Sequence, residues 1–390
     1  MGGANRRVSL YSPGPQCREN PADSEVCAWE AESLKVPVAA VAVLAFAWTA
    51  VLAAGAEEPE GKGPSFHDVH FHLTNYVQRG ITLSEFLETA GNEVGRTAVF
   101  GIPLQQKWDY FESGERAPDY YLHSDAALYY YSFVDAVIAE QYRSLSAVEQ
   151  ARFDPMITGF NPTDMYAADH ISRVLETYPG VFSGIGEFSI HKEFVTSKIV
   201  GHTASLHNPA LDSLLDFAGE VGLAVILHND IDTVLPTGAS EPVHFEALRE
   251  VFRAHPDVAF IWAHTGLGRF VAPAVDHVEL LDRLLSDDAF SHLHCDLSWD
   301  EVAKYVVQND AALGAWSELI ERHPDRFLFG TDSVAPESRE DYLKTWRAYE
   351  PLWERLSEDT RHAITIGNYE RIFDEANRKV RAWEAKELAK

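Results

Sequence analysis

From Gly63 to about Pro336 the chain repeats one unit, a short apolar run followed by an amphipathic stretch. The apolar runs are Ser65–Leu73, Thr97–Leu104, Met156–Phe160, Phe182–Ile190, Ala224–His228, Val258–His264, His292–Leu297 and Arg326–Asp332, eight in all. Near-continuous apolar runs are the pattern of strands buried on both faces, as in a parallel sheet covered by helices. The intervening segments, among them Leu83–Val94, Ile171–Tyr178, Leu211–Val221, Val243–His255, Val278–Leu285 and Leu313–His323, supply those helices. Eight βα units in roughly 270 residues fit an α/β fold closed as a (β/α)8 TIM barrel. The rival is an open doubly wound sheet, weakened because no Gly-rich phosphate loop follows the first run.

Two connections are long. Residues 105–152 follow the second strand and carry Tyr110, Phe111, Tyr120, Tyr121, Tyr129, Tyr130 and Tyr131. Residues 191–209 follow the fourth. Both are expected over the C-terminal rim, where long loops shape substrate pockets, although packing of the excursion itself explains most of the tyrosines. The barrel is expected over 64–375, with Ala363–Phe373 closing it and a charged C-terminal helix over 376–390.

The N-terminal part reads differently. Val36 to Ala56 is an uncharged apolar run ending in Ala54-Gly55-Ala56, which fits the core and small-residue cleavage site of a signal peptide over 34–56. An uncleaved membrane anchor competes with it. Residues 1–33 read as a non-native or disordered extension. The expectation is an exported protein, periplasmic or secreted, free of the membrane once cleaved. Only Cys295 then remains, more a small buried hydrophobe than a nucleophile. With 60 acidic against 32 basic residues the formal charge is −28, which argues against nucleic acid and anionic membranes as partners. A small-molecule substrate is expected, and a homo-oligomer is compatible.

The ionisable residues fall at matching places on this scaffold. His70 and His72 stand two apart in the first run and so share a face. Glu187 ends the fourth, His228 the fifth, His264 the sixth and Asp332 the eighth. Each follows apolar residues, and burying such a group unpaired costs several kcal/mol. Singly each has a bland explanation: Glu187 can pair with Lys192, and Asp332 can cap the next helix. In a barrel all six lie at one mouth, where a metal satisfies them together.

The order His-x-His on strand one, His on five, His on six and Asp on eight resembles the amidohydrolase superfamily, in its amidohydrolase-related (amidohydrolase 2) branch. The likeness runs from His70 to Gly367-Asn368-Tyr369-Glu370-Arg371-Ile372-Phe373. It implies His70, His72, His228 and Asp332 as ligands of a catalytic divalent ion, with His264 binding a second ion or polarising the substrate. Many binuclear members carry a carboxylated Lys on strand four; here Glu187 stands there, so one ion or two stays open. Zn2+ suits the donors, with Mn2+, Fe2+ or Co2+ as alternatives.

Such an ion lowers the pKa of bound water to about 7, and Asp332 then serves as general base and acid. The expected reaction is hydrolysis of an amide, ester, lactone or related bond. The alternatives are nonoxidative decarboxylation of the aminocarboxymuconate semialdehyde decarboxylase type and a non-catalytic periplasmic metal-binding protein. His191, Lys192, Asn229, Arg269 and Trp299 are the expected substrate contacts at the rim, though loop packing explains each equally well.

Overall fold

The computed structural model describes residues 63–201, 204–235 and 241–390. The expected extension over 1–33 and the apolar segment over 34–56 lie outside the described residues. Among the described residues, no helix is long and apolar enough to cross a membrane.

Eight barrel strands follow one another: β1 Phe66–His72, β2 Val94–Phe100, β3 Phe153–Ile157, β4 Gly184–Ser189, β5 Ala224–His228, β6 Ala259–Trp262, β7 Leu293–Leu297 and β8 Phe327–Phe329. Each pairs in parallel with its neighbours. The eighth strand comes in two pieces. Phe327–Phe329 lies on β7, and Ser333–Val334 crosses to pair with Phe71 and His72 of β1. That crossing closes the ring, so the fold is the expected (β/α)8 barrel. The second strand stops at Phe100 rather than Leu104. Pro103, with no N–H for a ladder, precedes a separate hairpin of Leu104–Gln106 and Leu128–Tyr130.

Strand alternation sorts the side chains. On β5, Ala224 and Ile226 join an inner cluster with Val69, Ala98, Phe100, Met156, Ile261 and Leu328, while Val225 and Leu227 face the surrounding helices. The inner cluster is sealed by Tyr369, Ile372, Phe373 and Ala376 of the final helix, Asn368–Glu387. That helix runs unbroken across position 376. Cys295 is fully buried in the outer layer.

One outer helix shows how local sequence sets its ends. Pro209–Val221 starts at Asn208, whose side chain caps Ala210 N, has Pro209 in its first turn, and stops at Gly222 with φ 82°. Pro tolerates a first turn, where its missing N–H is not needed, and Gly takes the left-handed C-terminal position at no steric cost. Leu211, Leu214, Leu215 and Ala218 share its buried face, and each large apolar side chain so buried contributes about 1.5–3 kcal/mol.

Candidate active site

The six expected residues come together at the C-terminal mouth. His70 and His72 leave β1 on one face, with ring centroids 5.3 Å apart. His228 continues the inward series Ala224, Ile226 on β5. Asp332 sits in the gap between the two pieces of the eighth strand, where its N–H donates to His70 O at 2.7 Å.

Glu187 and His264 reach the mouth by backbone irregularities. On β4 the register slips between Ile185 and Phe188, opposite Val225 and Leu227 of β5. Three residues thus span what two span on the partner, a bulge, with Gly186 at φ 122°. Ile185 and Phe188 both face the outer core, and the extra residue lets Glu187 turn inward. On β6, Ile261 and Ala263 face inward, so simple alternation would aim His264 at the helices. The strand stops at Trp262, and His264 and Thr265 take left-handed conformations (φ 55° and 54°). His264 is thereby swung over His70, ring centroids 4.9 Å apart.

Outer partners fix which nitrogen of each imidazole faces the centre. His72 Nδ1 donates to Gly101 O at 3.1 Å, which leaves the Nε2 lone pair pointing at Glu187 Oε2 and Asp332 Oδ1, each 3.1 Å away. His70 Nδ1 donates to Asp296 Oδ2 at 2.8 Å, and its Nε2 makes no hydrogen bond at 3.4 Å from Asp332 Oδ1. Ser298 Oγ donates to Asp296 Oδ1 at 2.5 Å, so it accepts from His264 Nδ1 at 2.7 Å. His264 Nε2 is likewise buried and unpartnered, 3.8 Å from Asp332 Oδ2.

Three lone pairs therefore face carboxylates, an arrangement that requires positive charge between them. The ionisation balance carries the same demand. Burial opposes charge on His70, yet Asp332 and Asp296 hold its pKa well above the usual histidine range. His72 is likewise raised against burial by Asp332 and Glu187. Burial presses Asp332 upward, but the imidazoles pull it below the usual carboxylate range. His264 is pushed down by burial to about 3 and stays neutral. A proton or a metal ion can supply the missing charge. His70, His72 and Asp332 offer donor atoms all within 4.8 Å of one another, and so do Glu187, His228 and His264. Imidazole and carboxylate are the donors of Zn2+ and its first-row neighbours, and the residues present fit such an ion.

Glu187 holds a second set of contacts. Its Oε1 accepts from Lys192 Nζ at 3.2 Å and meets His228 Nδ1. His228 Nε2 lies 3.1 Å from Asp230 Oδ1. Burial would raise the Glu187 pKa, but Lys192 and His228 hold it well below the ordinary range.

Above the cluster lies a cavity of about 200 Å³ lined by His72, Tyr76, Tyr120, Lys192, Arg269 and Trp299, with Asp332 at its base. Arg269 packs its guanidinium over Tyr120 and Trp299, 5.5 and 5.4 Å from the ring centroids. Lys192, Arg269 and Trp299 thus border the mouth. His191 lines an adjoining cavity of about 540 Å³, stacked on His244 at 4.0 Å. Asn229 is fully buried, accepting from His191 N and donating to Asp230 O. Sequence reasoning missed Asp296, Ser298 and Asp230. Asp296 and Ser298 had a signal, since they alternate with the apolar residues of the seventh run.

An amidohydrolase family model matches residues 67–374. No curated protein matches the sequence. Among solved structures, a putative 2-pyrone-4,6-dicarboxylic acid hydrolase from Pseudomonas putida is similar at 12% identity, covering 80% of this chain and 97% of its own, TM-score 0.48. Dihydroorotase from Campylobacter jejuni matches at 13% identity over 79% and 83%, TM-score 0.47. A 2,6-dihydroxybenzoate decarboxylase from Rhizobium matches at 14% identity over 80% and 99%, TM-score 0.44. With the family model spanning most of its length, the chain belongs to the amidohydrolase family.

Proposed function

We propose that the chain is a metal-dependent hydrolase acting on an amide, ester, lactone or related bond of a small molecule. The observation that carries this reading is the convergence of three Nε2 lone pairs, their tautomers set by outer partners, on the carboxylate of Asp332. His70, His72 and Asp332 would hold a divalent ion, with Glu187, His228 and His264 as the remaining candidate donors. Such an ion, Zn2+ first among the candidates, activates water and polarises the scissile group when bound.

The chain's own groups then divide the work. Asp332 stays ionised, so it accepts the proton of the attacking water and returns it to the leaving group. His264, neutral with its lone pair in the mouth, accepts from the water or binds a cation. Asp296 and Ser298 keep the imidazoles aimed. Arg269 and Trp299 orient the substrate from the rim, and the small cavity suits a compact molecule.

The test joins elemental analysis of the purified chain to a screen of chromogenic esters, amides and lactones, before and after chelation. Bound transition metal, with hydrolysis lost on chelation and regained on metal return, is the expected result. Protein that neither contains nor takes up metal would sink the proposal. Release of CO2 from a carboxylate substrate in place of a hydrolysis product would assign the same residues to decarboxylation.

A further inference from the structure

The two oxygens of Glu187 are spoken for by different neighbours. Oε2 faces the paired imidazoles, 3.1 Å from His72 Nε2 and 3.8 Å from His70 Nε2. Oε1 faces the other way, 3.2 Å from Lys192 Nζ and against His228 Nδ1. A carboxylate that bridges two ions commonly gives one oxygen to each. Here the oxygen turned toward the second donor cluster, Glu187 with His228 and His264, already holds an ammonium.

Lys192 is built into this position. It is only 7% exposed, comes from the loop directly after β4, and lies 5.9 Å over the Trp299 ring. A buried ammonium needs a counter-charge, and its one side-chain hydrogen bond among the described residues is to Glu187. A divalent ion on Glu187 Oε1 would sit against this largely buried ammonium, where like charges repel more than in bulk water.

We propose that the Lys192 ammonium takes the place of a second metal ion, so that the centre binds a single divalent cation, on the side of His70, His72 and Asp332. The inference rests on the metal-dependent reading above and deepens it: Lys192 sets the count. Lys192 is on this account a positioning residue, acting through Glu187.

The full chain, stripped with a chelator, is titrated with Zn2+, and bound metal is counted by elemental analysis and native mass spectrometry. About one equivalent is expected for the native chain and for Lys192→Arg, which keeps the charge. About two are expected for Lys192→Met, with affinity for the second ion raised at least ~10-fold by loss of the competing cation. Two equivalents in the native chain overturn the proposal and leave the hydrolase reading standing. One equivalent in both the native chain and Lys192→Met overturns the role of Lys192. No binding at all overturns both readings together. Should Lys192→Met fail to fold, Mn2+ loaded into the native chain gives a second readout by electron paramagnetic resonance: an isolated-ion spectrum supports the proposal, and a spin-coupled pair overturns it.

Discussion

His70 Nδ1 and Asp296 Oδ2 meet at 2.8 Å, although β1 and β7, which carry them, do not pair. The eighth strand runs between them. Asp296 also accepts from His264 N at 2.6 Å and from Ser298 Oγ at 2.5 Å. One buried carboxylate thus ties the imidazole of strand one to the imidazole after strand six, and sets the tautomer of both. In Asp296→Asn the acceptor facing His70 becomes an amide, free to offer N–H and turn His70 to the other tautomer. Metal affinity is expected to fall ~10–100-fold, the usual cost of losing such an outer partner, with far-UV circular dichroism unchanged. Competition against a chromophoric chelator measures it. Native affinity in the variant would mean that the strand alone aims His70.

His72 and Asp332 separate binding from turnover. His72→Ala removes an Nε2 that lies 3.1 Å from both Glu187 Oε2 and Asp332 Oδ1. It is expected to lose metal and activity together. Asp332→Asn keeps the shape but not the base, and a fall in kcat of ~10²–10⁴-fold is expected with the fold retained. Turnover at the native rate in Asp332→Asn would strip that residue of its assigned role, whatever the metal content.

Much of the fold and part of the site were legible because they rest on simple periods. The eight apolar runs mark the eight strands, and the i, i+2 spacing of His70 and His72 puts both on one face. His228 continues the inward parity of Ala224 and Ile226. The positions of Glu187 and His264 at strand ends were legible too, but their directions were not. Strict alternation sends both toward the helices, and only the bulge at Gly186 and the left-handed turn at His264 and Thr265 bring them inward. Such turns are set by packing around the mouth, which no local pattern encodes. Asp296 was missed for another reason. The apolar Leu293, Cys295 and Leu297 mark a strand by themselves, and the alternating His294, Asp296 and Ser298 become informative only once that strand's inward face is known.

Gly330 belongs to the same geometry. It lies on the inner face of the eighth strand, against the backbone of His70. A Cβ there would come within 2.6 Å of His70 Cβ and 2.9 Å of His70 N, closer than atoms pack. Neither neighbour is the end of a flexible side chain, so the strand itself would have to move. Gly330→Ala is expected to cost about 1–3 kcal/mol of stability, the range for overpacking, and to weaken metal binding by displacing His70. Chemical denaturation and metal titration of the same preparation check both. A variant of native stability would show that β1 and β8 can part without loss.

The last prediction concerns pH and a carboxyl outside the candidate metal cluster. Asp135, in the helix Phe133–Ser144, accepts from the backbone N–H of Thr158 at 3.0 Å and of Gly159 at 2.9 Å. It anchors the long excursion after β2 to the chain just past β3. The side chain is 1% exposed. Burial pushes its pKa up from 3.8 to about 7, with the two N–H donors pulling the other way. Between those values the folded chain keeps a proton that the unfolded chain has released. The folded state binds more protons there, so stability declines as pH rises through that window, and is unaffected by this group below it. Asp135→Asn does not titrate. Its denaturation midpoint is expected to fall less steeply than that of the native chain across the same window, although the amide loses an acceptor for one of the two N–H groups and starts lower. Parallel curves for the two proteins would mean that Asp135 is already ionised throughout in the folded state, with the two backbone donors outweighing burial.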